Sequence, residues 1–467
     1  MSRINTNVTS LIAQRVLTKN NTALNTNLER LSTGLRINKG SDDPAGLIAS
    51  ENLRAEKAGL TQAIDNAERA SNLIGTAEGG LNEISSLLTQ VQGLVTQSAN
   101  TGGLSQEELE ANQLQVDSIL STINRIAKGT SFEGMKLLDG TYSYTTSAAT
   151  PANFDSTRVN AARLPDGQKV AVVVAVTTAA AKADLTGPNA ALAGNDTIEI
   201  VGSKGSEQIT FTTGTAVADM VTGINAYKNA TGVYASNVTG TLHLYSSDFG
   251  SKEFVSVTSA TGNFMAAGTS KDAGSDAVVT VNGATAQADG LAVSYRSGDL
   301  DVEVNLATAA NVAGSYRFDI TSGGATFALG SKVTETDKAV IGISSVSTAS
   351  LGDKATGLLL TLGSGGTNAL SGGNLVNAQK IVDKAIKQVS QLRGRLGAFQ
   401  KFTIGSTINN LGTALENASA AESAIRDTDF AEETANMTRN QILSQAATTV
   451  LATANSTPQN ALSLLRG

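Results

Sequence analysis

The sequence contains no cysteine, which excludes disulfide bridges, thiolate nucleophiles and cysteine-ligated zinc. It also has no tryptophan, only 5 prolines in 467 residues and only 4% aromatic residues. Few side chains are therefore large enough to fill a broad core, and this favours long helices and strands built of small residues. The length itself predicts about two to four domains.

A concentration of positive charge is missing as well. The net charge is −7, and basic and acidic residues number 12 and 15 in 1–140, 13 and 19 in 141–375, and 9 and 7 in 376–467. The sequence has no stripe of basic residues of the kind that binds a phosphate backbone, so we expect no nucleic-acid partner. Apolar runs of about 18 residues and a secretory h-region are also missing. We expect no membrane insertion, and either a cytoplasmic protein or export without a cleaved signal.

The first part of the chain repeats apolar residues at helical spacing. Five leucines separated by steps of seven, four, three and four residues fall on one stripe. They are Leu17, Leu24, Leu28, Leu31 and Leu35. A seven-residue apolar series then runs from Leu53 to Val95, typical of a coiled coil about 60 Å long. After a Gly-Gly pair, Ser105 and Glu108 have the spacing of a capping box, which predicts an antiparallel helical hairpin.

The middle of the chain has a different texture. In 141–375 apolar and polar residues alternate, as in DVEVNL at 301–306, and Asn282-Gly283 is a strong hairpin signal. We expect this part to be mainly β, as two subdomains. The helical period returns in 376–467. The predicted fold is therefore α+β, with long α-helical coiled-coil N- and C-terminal regions packed together and a mainly β central insert.

Residue types that carry chemistry are scarce. The only histidine, His243, cannot supply the paired ligands of a zinc peptidase, and it is interpreted as a strand residue that is solvent-facing or partly packed. Four acids, Asp427, Asp429, Glu432 and Glu433, could be imagined as a metal cluster. Asp429 and Glu432 have capping-box spacing, however, and acids in a first helical turn are stabilised by the helix dipole. We predict no enzyme, no cofactor and no metal site.

Two adjacent aspartates pose the same question in RINKGSDDPAGLIASENLRA, residues 36–55. Asp43 as an N-cap and Pro44 at the first helical position would end one element and start a helix at a fixed angle. Asp42 and Asp43 are therefore interpreted as structural residues. Arg36 is expected to pair with a carboxylate of a neighbouring segment or subunit.

That same segment resembles the N-terminal signature of bacterial flagellins. The last 45 residues, SAIRDTDFAEETANMTRNQILSQAATTVLATANSTPQNALSLLRG, are similar to the C-terminal signature of that family, and LRGRLGAFQ fits the family too. The resemblance covers 1–140 and 376–467. Within the middle, 196–257 resembles the hook IN module of some flagellins and filament cap proteins.

The resemblance implies a filament subunit in which the ends form concentric helical tubes. Residues 1–42 and 430–467 would pair as the inner tube, and 43–140 and 376–429 would pair as the outer one. The variable β-rich region, 141–375, would be exposed on the outside of the filament.

Assembly is expected to depend on the apolar residues of the two inner-tube helices. The leucine stripe would pair with the last helix, within and between subunits. The expected residues are Leu17, Leu24, Leu28, Leu31, Leu35, Leu443, Val450, Leu451, Leu464 and Leu465.

A joint between the inner and outer tubes is expected where the aspartate-rich segments lie. A filament that changes its supercoil needs a defined joint at such a place. The expected joint residues are Arg36, Asp42, Asp43, Pro44, Arg426, Asp427, Asp429 and Phe430.

The partners implied by the resemblance are many copies of the same chain, an export chaperone and export gate, a filament cap protein and a hook-filament junction protein. Export unfolded through the flagellar type III channel would place the protein outside the cell. A host Toll-like receptor recognises the family at residues matching 89–97. Leu94 matches that site, but Gln90, Gly93 and Gln115 replace charged residues, so we do not expect strong recognition.

Two other functions stay open on the sequence alone. A hook-filament junction protein shares terminal helices with flagellin, and cellular copy number would separate the two. A peptidase carried in the insert is the third hypothesis, which the single histidine disfavours. The Ser/Thr-rich insert is compatible with O-glycosylation and equally with hydroxyls that are merely part of a β surface.

Overall fold

The computed structural model describes residues 6–100, 102–147, 152–164, 168–265, 268–353 and 356–466, with side chains as far as residue 457. Helices occupy both ends and strands the middle, which confirms the predicted α+β fold. The α-helices are α1 Val8–Thr33, α2 Pro44–Ser98, α3 Gln106–Gly129, α4 Val217–Ala226, α5 Lys228–Thr231, α6 Leu375–Ala398, α7 Gly405–Arg426 and α8 Phe430–Arg466. A π-helical segment, Phe399–Ile404, joins α6 to α7.

The strands lie between α3 and α6, and most of them are short. They are β1 Ser131–Phe132, β2 Met135–Lys136, β3 Thr145–Ser147, β4 Phe154–Ala162, β5 Val170–Thr178, β6 Asp184–Thr186, β7 Asp196–Gly202, β8 Gly205–Phe211, β9 Val233–Val238, β10 Thr241–Ser246, β11 Phe254–Ser259, β12 Gly268–Ala273, β13 Val278–Val281, β14 Ala284–Asp289, β15 Ala292–Arg296, β16 Leu300–Leu306, β17 Gly314–Ser322, β18 Ala325–Ala328, β19 Lys338–Ile341, β20 Gly352–Asp353 and β21 Gly357–Leu358.

The contacts divide the chain into two compact units. The first unit contains the residues up to Glu68, Ala328–Asp337 and those from Ile404 onwards. Its two helix pairs are α1 with α8, and the first part of α2 with α7. Leu60 and Ala63 of α2 pack against Leu411 and Ala418 of α7 in a small apolar cluster.

The second unit contains Arg69–Phe327 and Lys338–Thr403, and its helical part is the rest of α2 with α3 and α6. The heptad positions of α2 here, among them Ile74, Leu81, Leu88 and Val95, are buried, as the sequence predicted. Gln92 of α2 bonds to Asp383 of α6 at 2.9 Å. The predicted capping box starts α3, because Ser105 and Glu108 bond to each other's backbone N–H groups.

An eight-stranded antiparallel sheet forms the larger part of the insert, in the order β3-β17-β5-β13-β14-β15-β16-β4. Alternate residues face its core, including Val302 and Val304 of the predicted strand pattern. Phe154 of edge strand β4 lies 5.6 Å, edge to face, from Phe318 of β17 near the opposite edge. The sheet therefore curls until its two ends share one core. The predicted turn at Asn282-Gly283 joins β13 to β14 with positive φ at both residues.

A smaller module, built from β6 to β12 with α4 and α5, forms the rest of the insert. It has a four-stranded sheet, β12-β11-β7-β8, and a three-stranded sheet, β6-β10-β9. Met220 and Ile224 of α4 are buried in its apolar core. His243 lies on β10, half-buried, with Nδ1 2.8 Å from Asp184 Oδ1, which fits the interpretation of a partly packed strand residue.

Candidate assembly interface

Helices α1 and α8 run antiparallel along each other. Asn7 Nδ2 donates to the carbonyl of Ala454 at 2.7 Å, and this asparagine also caps α1 by accepting from the N–H of Ser10. Further along, Ser444 Oγ donates to Asn21 Oδ1 at 2.7 Å, and Arg30 lies 3.8 Å from Glu433. The residue numbers fall on one helix as they rise on the other, so the two helices are paired over their shared length.

Large apolar side chains remain uncovered on this pair. Within the described part of α1 only Ala13 and Asn27 are buried. Side chains that a core would hold are 43–61% exposed on the two helices: Val8, Leu11, Ile12, Val16, Ile442, Leu443, Val450 and Leu28. Those of α1 from Val8 to Val16 follow steps of three and four residues, so they form one row. In a single chain this row faces water.

The sequence-predicted assembly residues differ in how exposed their side chains are. Half-buried ones are Leu17, Leu24, Leu31, Leu35 and Leu451, while Leu28, Leu443 and Val450 are exposed. The side chains of Leu464 and Leu465 lie outside the described residues. Sequence reasoning missed the row from Val8 to Val16, although its spacing of three and four residues was a readable signal.

The predicted joint lies where two linkers of the first unit meet, between α1 and α2 and between α7 and α8. The N–H of Arg36 donates to the carbonyl of Arg426 at 2.7 Å, and the N–H of Thr428 donates to the carbonyl of Gly34 at 3.0 Å. Leu35 and Asp427 form an antiparallel bridge. Four helix ends are thus tied together by main-chain hydrogen bonds.

Asp43 is the N-cap of α2, as the sequence predicted. Its Oδ1 accepts from the N–H of Gly46 at 2.9 Å, and Pro44 occupies the first helical position. A Cβ on Gly46 would lie 2.4 Å from Asp43 Oδ2 and 2.7 Å from Ile37 Cδ1. Only glycine leaves room for the capping carboxylate, which gives a reason for the sequence Asp-Pro-Ala-Gly.

Asp42 stabilises the turn in the linker between α1 and α2. Its Oδ2 accepts from the N–H groups of Lys39 and Asn38 at 2.9 and 3.0 Å. These backbone hydrogen bonds, first that of Lys39 and then that of Asn38, hold the pKa of Asp42 below its usual range. The two aspartates therefore fix the turn before α2 and the start of α2, and neither is aimed at a shared ligand.

Within the chain the Arg36 side chain bonds to a backbone carbonyl, and its pairing with a carboxylate of a neighbouring segment or subunit stays a prediction. Its Nε and Nη2 donate to the carbonyl of Ile425 at 3.2 and 2.6 Å. The last carbonyls of a helix lack intrahelical partners and carry the negative end of the helix dipole, so the end of α7 is itself an acceptor for a guanidinium. Arg426 pairs with a carboxylate within the chain, with Nη1 2.8 Å from Glu51 Oε1.

The remaining joint residues organise the end of α7 and the start of α8. Asp427 Oδ2 accepts from Ser423 Oγ at 2.6 Å. Asp429 Oδ1 accepts from the N–H groups of Ala431 and Glu432, which confirms it as a cap of α8. Phe430, the first residue of α8, is 57% exposed. Of the acids that could be imagined as a metal cluster, Asp429 thus accepts from backbone N–H groups, Asp427 accepts from a hydroxyl and Glu433 lies near Arg30. No group of three or more metal-ligating side chains occurs among the described residues.

The predicted receptor residues lie in the second unit. Gln90 of α2 and Gln115 of α3 are exposed, and Leu94 of α2 is half-buried. None of the helices in the described part of the chain is long and apolar enough to span a bilayer.

Comparison with known proteins bears on both ends of the chain. Models of the bacterial flagellin N-terminal and C-terminal helical regions match residues 4–143 and 379–465, and a model of the flagellin hook IN motif matches 197–248. These matches confirm the family that the sequence signatures predicted, and the module within 196–257.

Full-length relatives support the same conclusion. The chain is 32% identical over 511 residues to a flagellin of Salmonella choleraesuis, with 99% of both chains covered. It is 31% identical over 467 residues to flagellin D of Vibrio cholerae, again with 99% of both covered. Identity to the flagellin of Bacillus subtilis is 30% over 467 residues, covering 99% of this chain and 100% of the relative.

Proposed function

The chain belongs to the bacterial flagellin family and is a structural subunit of the flagellar filament, and we propose that copies of it join through the exposed apolar faces of α1 and α8. The observation that carries this proposal is the uncovered row from Val8 to Val16 on α1, together with the exposed Ile442, Leu443 and Val450 on α8. Contiguous exposed apolar surface of this kind marks an interaction site.

The free energy gained by covering these side chains is large enough to support association. Covering the exposed part of each of these side chains contributes about 1 kcal/mol, since a full burial is worth about 1.5–3 kcal/mol. Eight such side chains supply about 8 kcal/mol for each copy, which is comparable to the cost of immobilising a subunit. Several neighbours around each copy would then tip the balance towards a polymer.

A double substitution on α1 tests the proposal directly. We expect Leu11→Ser with Ile12→Ser to leave the monomer folded, because both side chains are already about half exposed in the single chain. Filament formation, followed by sedimentation of purified full-length protein, should be lost. The matched control is Val278→Ser with Val312→Ser, a pair of similarly exposed apolar residues in the insert. Normal filaments from the α1 variant would contradict the proposal.

Removal of the last 30 or so residues is a second test. It deletes most of α8, and with it the carbonyl of Ala454 to which Asn7 donates and the hydroxyl of Ser444 that donates to Asn21. A soluble monomer is the expected product. Sedimenting filaments from this truncated chain would contradict the assembly model.

The joint supplies a mechanical element within this proposal. Linkers tied by main-chain bonds at Gly34, Arg36 and Thr428 would transmit a change in one helix pair to the other. We propose that this joint separates an inner-tube part, 1–42 with 430–467, from an outer-tube part, 43–140 with 376–429. The insert of 141–375 would then face outwards.

The same proposal includes the proteins that would handle the chain during export and assembly. An export chaperone and export gate, a cap protein and a hook-filament junction protein would handle the chain before and during assembly. An extracellular site follows from that route. Receptor contact through Leu94, Gln90 and Gln115 would be weak, because Gln90 stands where strongly recognised members of the family carry an arginine and it brings no guanidinium. A copy number near a dozen per cell would favour the junction-protein alternative.

A further inference from the structure

Three cations lie within the faces that the proposed assembly would cover. Arg15 and Lys19 of α1 and Arg439 of α8 are exposed, and none of them takes part in an ion pair among the described residues. Arg15, the residue before Val16, and Lys19, three residues after it, lie on the exposed side of α1, one turn apart. Arg439 stands four residues before Leu443, so it shares the exposed stripe of α8.

A shallow groove on α1 joins the two cations of that helix. Its volume is about 620 Å³, and it is lined by Arg15, Thr18, Lys19, Thr22, Ala23 and Thr26. The hydroxyls of Thr18, Thr22 and Thr26 each donate to the carbonyl four residues earlier in the helix. The groove therefore offers methyl groups and two uncompensated positive charges to whatever covers it.

The helix ends cannot neutralise these charges themselves. Residues 1–28 and 434–467 contain five basic residues and no Asp or Glu. Covering a cation without an opposite charge is costly, because the desolvated charge loses its water. The surface that packs here has to bring acids.

Such acids are abundant in the adjoining part of the same unit. Residues 29–68 and 404–433 together carry 13 acidic and 6 basic side chains. Several of these acids are exposed and form no ion pair among the described residues: Glu56, Asp65, Glu68, Glu416 and Glu432. The first unit is thus positive towards the far end of the α1–α8 pair and negative around the joint.

We propose that the groove and Arg439 receive the acidic joint region of a second copy, in a head-to-tail contact. The proposal rests on the proposed function, since it specifies which surface of the neighbour covers the exposed faces. A head-to-tail contact uses two different patches and therefore repeats indefinitely, which suits a filament. The charge pattern sets the register and direction of packing, while the apolar row supplies most of the free energy.

Charge exchange between two full-length variants tests the contact. The first variant is Arg15→Glu with Lys19→Glu, and the second is Glu56→Lys with Glu416→Lys and Glu432→Lys. Each alone places like charges across the contact, so we expect the monomer concentration needed for filaments to rise about tenfold. An equimolar mixture of the two should assemble close to the wild-type threshold, and so should a single chain that carries all five substitutions.

The matched control is Lys169→Glu with Lys228→Glu, two exposed lysines of the insert, which changes the net charge as much as the first variant does. We expect it to assemble as the wild type. Raising the salt from about 50 mM to about 500 mM should shrink the defect of each reversed variant, because the repulsion is screened.

Wild-type assembly by the first variant, or failure of the mixture to outperform its components, would overturn the head-to-tail contact. Neither result would disturb the proposed function, which fails if the Leu11→Ser/Ile12→Ser variant or the C-terminally truncated chain still forms filaments. Circular dichroism of each monomer checks that the helices are intact before assembly is measured.

Discussion

In the β insert most large apolar side chains are covered within one chain, whereas on α1 and α8 many are not. Phe318 and Val172 of the eight-stranded sheet are fully buried, while Leu11 and Ile442 are 58% and 61% exposed. A curled sheet can close a core on itself. Two paired helices have only one contact line between them, so each keeps a second apolar face that needs another molecule.

The two parts of the molecule therefore differ in when they become stable. The insert has its core within the single chain. On the proposed assembly, the α1–α8 pair would gain its remaining burial only in the filament. Substitutions should therefore separate into those that lower the free energy of unfolding of the monomer and those that block the filament.

The largest effect on the monomer should come from Phe318→Ala. The ring packs edge to face against Phe154 and is fully buried, so its removal leaves a cavity. We expect the free energy of unfolding of the insert to fall by about 3–5 kcal/mol, measured by urea denaturation. Filaments should still form at a temperature where the insert is folded. Loss of assembly in a variant whose α1–α8 pair is intact would contradict the separation between monomer stability and filament formation. Val278→Ala, at an exposed position of the insert, is the control.

Asp196 offers a pH-dependent test inside the small module. Burial opposes its ionisation, but hydrogen bonds from Ser259 Oγ and from the N–H groups of Phe264 and Thr261 outweigh this and hold the pKa of Asp196 far below its usual range. A lowered pKa stabilises the fold above the unfolded-state value near pH 4, and this stabilisation is lost as the pH falls below that value.

We expect Asp196→Asn to cost about 2 kcal/mol at neutral pH, because one buried acceptor is replaced by a donor. The gap between wild type and variant should narrow below about pH 4, because the Asp196 carboxyl is then protonated in the unfolded wild-type chain while it stays ionised in the folded one. Thermal unfolding of both proteins between pH 7 and pH 3 measures this. A constant gap across that range would show that the charge of Asp196 contributes nothing.

The smallest stability change should follow from Asp43→Ala at the joint. Loss of the cap bond to Gly46 costs about 1 kcal/mol at the start of α2. Because the joint links two helix pairs, we expect altered filament curvature, seen by electron microscopy, and reduced motility. Asp43→Asn keeps a capping oxygen and should behave as the wild type. Normal filament curvature in the alanine variant would show that Asp43 acts only as a helix cap and does not influence filament shape.

The sequence predicted the helices and their caps because those signals are local. Heptad spacing located α2, and the cap residues Asp43, Ser105 and Asp429 were each readable from a few neighbouring positions. The hairpin at Asn282-Gly283 was found for the same reason. Its turn needs positive φ, which that residue pair adopts at low cost.

Long-range pairing was not predictable in this way. Strand β5 pairs with β13 and β17, which follow it in the sequence by about 100 residues or more. The alternating pattern of β5 does not indicate which strands it pairs with. The same holds for the bridge between Leu35 and Asp427. Arg36 was assigned a carboxylate because charge is visible in a sequence, whereas the carbonyl of Ile425 becomes an acceptor only once α7 ends beside it.

The hydrogen bond between Asn7 and Ala454 joins residues 447 positions apart. Contacts of such separation form late, since nearly the whole chain must be present before the loop can close. A chain that emerges from a narrow exit N-terminus first therefore has no partner for α1 until its final segment arrives. On the proposed export route, the order of emergence would keep the first helix unpaired in transit and would let the α1–α8 pair close only at the destination.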